Sequence, residues 1–348
     1  MKIVVLCGGL SPERNVSLSS GSKIAAALAE RGHQTVLVDL FFGLEDWEGR
    51  LEDIFEAPPP LCGTKIDEAA PDLERVRAAR KCISESQFGD RVLELCRMAD
   101  IVFMALHGQC GEDGKVQAAF DLMGIKYTGS GFLGSAIAMD KDVTKRVLAP
   151  LDVLTPRWKV YPCKEATAEK VLADLPLPLV VKPVDSGSSI GVSIAHSEAE
   201  LADALRLAAG DGGRVIVEQY VKGREIQIGI LGDKALPSIE IRPVTGFYDY
   251  RNKYQPGAAE EITPAPIPAD AEAELARSAL TVYHALGLSA YSRADYIYDD
   301  QGRFWFLEIN TLPGMTPTSL VPQEAAVVGI GYGELCERIV ELSMEKYK

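Results

Sequence analysis

Two β-branched apolar runs near the N-terminus leave this chain little topological choice. Residues 2–6 (KIVVL) and 35–40 (TVLVDL) read as buried strands. Between them come a Ser-rich turn and then Ile24, Ala25 and Leu28, which suit a helix closing at Arg31–Gly32. Strand, helix and strand in so short a span make a βαβ unit, with parallel strands and a right-handed crossover. A third buried strand is expected at 101–106 (IVFMAL). The N-terminal third is therefore read as an α/β, Rossmann-like parallel sheet.

Downstream the texture changes. Residues 41–90 are acidic, carry Pro-Pro-Pro at 58–60 and end in a charged helix-like stretch; they read as an insertion at the sheet periphery. A helix is expected over about 132–148, then short strands at 179–182, 189–195 and 214–220. Antiparallel-looking strands follow at 224–231 and 234–242, then a Gly/Pro-rich loop at 245–268 and a helix at 269–286. A hairpin at 291–310 and a last helix near 332–346 complete an α+β remainder. Three domains fit this pattern: 1–129, 130–217 and 218–348.

Charge and cysteine usage narrow the function classes. The chain has 348 residues and a formal net charge of −14, so no basic surface can dominate it. Nucleic acid and anionic membrane are excluded as main partners. The seven cysteines contain no C-x-x-C pair and are odd in number, which reads as reduced thiols in a cytoplasmic protein. No apolar run reaches the roughly 18 residues of a membrane span.

Three stretches carry chemistry. In YSRADYIYDDQGRFWFLEIN, the Asp-Asp-Gln-Gly at 299–302 signals a turn. A turn centred between 300 and 301 would set Arg293 opposite Glu308 and Asp295 opposite Phe306. With a period of two, Arg293, Asp295, Glu308 and Asn310 then line one face. Two carboxylates and a carboxamide are hard ligands of the kind Mg²⁺ takes together with phosphates; a solvated face with ion pairs is the plain alternative. In PLVVKPVDSGSSIGVSIA, Lys182 ends a strand before a Gly/Ser loop whose N–H and hydroxyl groups suit phosphate. Glu218 and Glu225 flank a turn beyond it. The first loop, GGLSPERNVSLSSG, lacks the G-x-G-x-x-G spacing of dinucleotide binding, but it puts Glu13 at a helix N-terminus above a strand end. His107, one of four histidines, follows strand 101–106 at the same edge.

The stretches HGQCGEDGKVQAAFDLMGIKYTGSGFLGSAIAMDK, VKPVDSGSSIGV, FYDYRNKY and LEINTLPGMTPTSL, taken in order, resemble the D-alanine–D-alanine ligases of the ATP-grasp fold. The likeness runs from Gly8 to about Ile339, omitting 41–90. It implies ATP-dependent joining of two D-alanines through a D-alanyl phosphate, with two Mg²⁺ ions (Mn²⁺ as a substitute) and a homodimeric assembly. By the same resemblance Lys141, Lys182 and Lys253 would contact ATP phosphates, and Glu218 and Glu225 would hold adenine and ribose. Asp295, Glu308 and Asn310 would hold the metal ions, and Arg293 with the Gly314 N–H would form the oxyanion hole. Glu13 would take the ammonium of the first D-alanine, with His107 beside it. Ser188 would link Glu13 to Tyr254, and Ser319 and Leu320 would cradle the second D-alanine. Asn15 departs from the family's usual Glu at that position, and Cys7 from its Phe or Leu.

Close alternatives are a D-alanyl-D-lactate or D-alanyl-D-serine ligase, another ATP-grasp carboxylate–amine ligase, or a nucleotide-binding regulator without activity. Tyr254 argues against the lactate type. Residues 245–264, punctuated by Gly246, Pro256, Gly257 and Pro264, are read as a loop without helix or regular strand, and as the lid that keeps water from an acyl phosphate.

Overall fold

The computed structural model describes residues 1–59, 71–187, 191–210, 213–244 and 257–348. Strands β1 (Lys2–Cys7), β2 (Gln34–Asp39) and β3 (Ile101–Met104) form a parallel sheet of order β2-β1-β3. Helix α1 (Arg14–Glu30) is the crossover between β1 and β2. It ends where the apolar periodicity stops: Gly32, at φ +89, bonds back to the Ala29 carbonyl, and His33 to that of Leu28. Glycine takes this left-handed position without a Cβ penalty.

The segment after β2 is more than a surface excursion. Leu40, Leu44, Ile54 and Phe55 are buried in the N-terminal core, and Gly43 bridges to Asp90. The charged stretch forms the short helix α2 (Leu73–Ala79), which has no buried residue. Helices α3 (Val92–Met98) and α4 (Lys115–Met123) flank β3 in sequence.

The helix expected over 132–148 is two helices, α5 (Phe132–Met139) and α6 (Lys141–Leu148). Asp140 breaks it by adopting extended backbone, and its carboxylate accepts from the Val143 N–H at 2.9 Å as an N-cap. Lys141 is thereby the first residue of a new helix.

A second sheet, entirely antiparallel, has the order β4-β7-β5-β6: β4 (Trp158–Pro162), β5 (Leu179–Pro183), β6 (Ser193–Ala195) and β7 (Arg214–Gln219). Helices α7 (Ala168–Asp174) and α8 (Glu198–Ala209) cover one face through Val171, Leu201, Ala204 and Leu205. Those helices, and β4, were not read from the sequence.

The third sheet is also antiparallel, of order β11-β10-β8-β12-β13, with β9 (Lys234–Ala235) on β8. It comprises β8 (Gly223–Leu231), β10 (Ile239–Pro243), β11 (Ala259–Ile262), β12 (Tyr291–Asp299) and β13 (Phe304–Asn310). Strand β11 corrects the reading of 245–264 as wholly irregular: its residues pair with β10, Glu240 opposite Ile262. Gly257 and Pro264 flank this edge strand and leave its ladder intact. Helix α9 (Ala269–Ala285) packs against this sheet; α10 (Leu320–Val327) and α11 (Tyr332–Met344) follow it. Helix α11 returns to the first sheet, where Leu335, Cys336, Ile339 and Val340 lie in one core with Ile3, Ile24 and Leu28. No described helix is long and apolar enough to cross a membrane.

Candidate active site

The β12–β13 hairpin does not have the expected register. Asp299 organises its turn: Oδ1 accepts from the Gln301 and Arg303 N–H groups, and Oδ2 from Trp305 Nε1 at 2.8 Å. The pairing is consequently centred on Gln301, with Tyr298 opposite Phe304 and Tyr296 opposite Phe306. Continued unbroken, that register would send Glu308 and Asn310 to the face opposite Asp295. A bulge at Leu307 prevents this, because an extra residue on one strand re-aims every side chain beyond it. Asp295 therefore faces Glu308, and Arg293 faces Asn310. The four residues share a face as expected, through a different register.

On that face Arg293 donates from Nε and Nη2 to Asp295 Oδ1 and Oδ2 at 2.8 and 2.9 Å. Asn310 Nδ2 lies 3.4 Å from Asp295 Oδ2. Lys141 Nζ, brought in by the new helix start, sits 3.1 Å from Glu308 Oε2 and donates to the Ser186 carbonyl at 2.7 Å. Directly opposed residues on paired strands have Cβ atoms about 4.5–5.5 Å apart, so Asp295 and Glu308 can share one small cation. The donor set is hard oxygen: two carboxylates and a carboxamide that can turn its oxygen inward. It fits Mg²⁺ completed by phosphate oxygens.

A cleft of about 550 Å³ opens between the second and third sheets, a size suited to a small-molecule ligand. Lys141, Lys182, Glu218, Glu225, Asp295 and Glu308 all line it. Deep in its wall, Glu218 is nearly inaccessible and bridges two ammonium groups, Lys145 Nζ at 2.8 Å and Lys182 Nζ at 2.7 Å. Burial acts to raise the Glu218 pKa, but the two lysines outweigh it and hold the carboxyl at about 2. Burial drives Lys145 the other way, down to about 8, against the pull of Glu218. Lys145 was missed in the sequence, although its spacing of four from Lys141 placed both on one helix face.

A small recess lined by Glu112, Lys141, Gly187, Glu308 and Asn310 leads from the carboxylate end toward the first sheet. There Glu13, buried at the start of α1, lies against two glycines. A Cβ on Gly108 or on Gly187 would come within 2.8 or 2.9 Å of its Oε2. Salt-bridged Arg14 and Asp39 hold the loop before it, Arg14 Nη1 also donating to the Gly9 carbonyl at 2.7 Å. His107 is buried, and its Nδ1–H donates to the Leu312 carbonyl at 2.9 Å. That bond leaves Nε2 as the unprotonated nitrogen of a neutral ring, and Nε2 has no partner among the described residues. Burial lowers the His107 pKa despite nearby Glu13, which keeps the ring neutral. Glu112, also missed, accepts from the Gly108 N–H at 2.9 Å and the Leu312 N–H at 3.2 Å, and burial with Glu13 nearby pushes it up to about 8. A carboxylate and an acceptor nitrogen converging on a buried recess suit an ammonium group.

Gly314 lies in the loop between β13 and α10, and a Cβ there would come 3.0 Å from Ser319 Oγ. Ser319 precedes α10 and its Oγ accepts from the Thr316 N–H at 3.0 Å. Leu320 packs with Ile239 and with Ile241, a cleft-lining residue. Ser188, Lys253 and Tyr254 lie outside the described residues, as does most of the expected lid.

The chain is similar to known proteins over nearly its whole length. Residues 2–130 match the family model described as the D-ala D-ala ligase N-terminus, and residues 149–341 the model for its C-terminus. A D-alanine–D-alanine ligase of Pediococcus pentosaceus is 44% identical over 98% of this chain and 97% of its own length. That of Geobacter sulfurreducens is 42% identical over 97% of this chain and 93% of its own. Among solved structures, the ATP complex of the Bacillus anthracis D-alanine–D-alanine ligase superposes with a TM-score of 0.75 at 32% identity, covering 99% of this chain and 97% of that one. The VanG D-Ala:D-Ser ligase of Enterococcus faecalis superposes equally well at 30% identity, covering 98% of this chain and 99% of that one.

Proposed function

The chain belongs to the D-alanine–D-alanine ligase family, and on that premise we propose how its residues join two D-alanines at the expense of ATP, a step of cell-wall precursor synthesis. The observation that carries the reading is the sharing of one cleft and its recess by groups for three tasks. Lysines for phosphate and paired carboxylates for a divalent ion line the cleft, and Lys141 and Glu308 also line the recess, where Gly187 abuts Glu13 of the ammonium site.

ATP enters the cleft with its base toward residues 219–221, Glu218 and Glu225 on adenine and ribose, and its phosphates toward Lys141 and Lys182. Lys253 is assigned to the same phosphates. The first D-alanine places its ammonium between Glu13 and His107 Nε2, which directs its carboxylate through the recess toward the phosphates. A carboxylate oxygen attacks the γ-phosphorus, ADP leaves, and a D-alanyl phosphate results. Asp295, Glu308 and Asn310 would hold Mg²⁺, which supplies positive charge to the phosphoryl group during transfer. Arg293 faces the carbonyl and, with the Gly314 N–H, stabilises the oxyanion that forms when the amine of the second D-alanine attacks. Inorganic phosphate then departs with the C–O bonding pair and takes up the proton that the attacking nitrogen sheds. Ser319 and Leu320 position the acceptor.

The triad of Glu13, Ser188 and Tyr254, and the closing of 245–264 over the filled site, belong to the same proposal. So do homodimeric assembly, testable by sedimentation velocity, and a division into 1–129, 130–217 and 218–348. Phosphate release from ATP with Mg²⁺, with and without D-alanine, tests the function. D-alanine-dependent release with D-alanyl-D-alanine as product is expected; release that ignores D-alanine, or a depsipeptide as main product from mixed D-alanine and D-lactate near pH 7–8, refutes it.

A further inference from the structure

One turn beyond Leu320, helix α10 carries an acid that the reaction above leaves unused. Glu324 is fully buried. Its carboxyl rests on β8, where a Cβ on Gly229 would come within 2.3 Å of Oε2. Gly229 pairs directly with Arg293, so both belong to the sheet face that carries Asp295. Glu324 thus enters the active-site face through the gap that a missing side chain leaves.

This arrangement costs stability. Among the described residues, neither oxygen of Glu324 meets hydrogen-bonding geometry with a partner, although the Gly229 amide is close enough to favour the charged form. The other groups that a Cβ on Gly229 would meet belong to Leu236 and Val321. A leucine would bury well among them, whereas an unpaired buried acid is destabilising. Burial drives its pKa well above the ordinary carboxylate range, Asp295 and Glu272 add to that, and Arg293 opposes it. Arg293 is held by Asp295 from along its own strand, and Glu324, on helix α10, rests over its cross-strand partner Gly229.

We propose that Glu324 is a positioning residue for the ligation: seated in the gap at Gly229, across from Arg293, its unpartnered carboxyl oxygen receives the Arg293 guanidinium as that group turns to the reacting carbonyl, and so couples it to the helix that cradles the acceptor. The inference rests on the ligase reading of the site. It accounts for an acid at a position where packing favours a hydrocarbon.

Glu324→Leu, Glu324→Gln and Gly229→Ala test it, each assayed for kcat, the KM of D-alanine, ATP affinity by calorimetry, and Tm. The leucine variant should lose about ten-fold or more in kcat while ATP affinity is held and Tm is held or raised, because the interaction removed is made only at the reacting carbonyl. Glutamine, which keeps a polar oxygen in the gap, should retain kcat within about three-fold. Gly229→Ala, which displaces the carboxyl without altering it, should reproduce the leucine loss. A leucine variant within about two-fold of the native kcat overturns the proposal. So does a loss matched by weaker ATP binding or lower Tm, or a glutamine variant no better than leucine. If the leucine chain does not fold, the glutamine and alanine variants decide by the same criteria. An unaltered chain without D-alanine-dependent phosphate release would instead refute the ligase reading.

Discussion

Replacing Glu218 by Gln removes the one negative charge between two buried lysines, and its cost can be worked out. A carboxyl held at about 2 where 4.5 is ordinary stabilises the fold, at about 1.36 kcal/mol per pKa unit, by about 3 kcal/mol at neutral pH. Lys145, at about 8 where 10.5 is ordinary, costs about the same amount. The pair nearly balances, as buried ion pairs commonly do. Breaking it does not balance. The stabilising contribution disappears, and Lys145, inaccessible beside Thr155 and Trp158, must shed its proton or remain charged without a counter-ion. The expected loss is about 3–5 kcal/mol, read as a fall in the urea midpoint at pH 7. The double variant Glu218→Gln/Lys145→Met, with the charge replaced by an apolar chain, should recover at least half of it. The sign with pH follows from the same values. Glu218 contributes its stability above pH 4.5, and the native chain loses it as pH falls toward 2, whereas the Gln variant lacks this acid-side slope. A single variant that loses less than about 1 kcal/mol, or a double variant no more stable than the single, would show that the two lysines do not depend on Glu218.

Glu308→Gln should lower turnover by at least about a hundred-fold while leaving circular dichroism unchanged, since a neutral amide holds a divalent ion poorly; near-native turnover at ordinary Mg²⁺ counts against the metal assignment. Lys182→Ala should weaken ATP by about ten-fold or more and D-alanine much less, as the loss of a charge-assisted contact requires, and calorimetry distinguishes the two. His107→Ala should raise the D-alanine KM by about ten-fold with ATP affinity unchanged, because it removes the acceptor nitrogen aimed at the ammonium; equal loss of both would mean that the ring only supports Leu312. For the lid, a double-mutant cycle on Ser188 and Tyr254 should be strongly non-additive in turnover, whereas additive losses would mean that 245–264 closes without that bond.

What was legible in the chain was local. The runs at 2–6, 35–40 and 101–106 lie in the β2-β1-β3 parallel sheet, because apolar β-branched stretches of strand length have few other places to go. The site residue types were legible for a similar reason: Lys182 before a Gly/Ser loop, or two acids on one hairpin, are chemistry written at short range.

Tertiary structure decided the rest, wherever the outcome depended on surroundings that no short window contains. The hairpin reading placed Asp295 and Glu308 on one face but not in the pairing they adopt, because Asp299 recentres the turn and the bulge at Leu307 then restores the face. Nor could sequence spacing say that Glu218 would be inaccessible between Lys145 and Lys182, that His107 would be left with an orphaned Nε2, or that Glu324 would fill the gap at Gly229. Helix α11 shows the same division at larger scale: its amphipathic pattern was readable, its partner was not, and it packs with Ile24 and Leu28 from the opposite end of the chain. Periodicity is a property of a segment, but desolvation is a property of everything around it; it shifts Lys145, His107 and Glu112, and at Glu218 two buried lysines outweigh it.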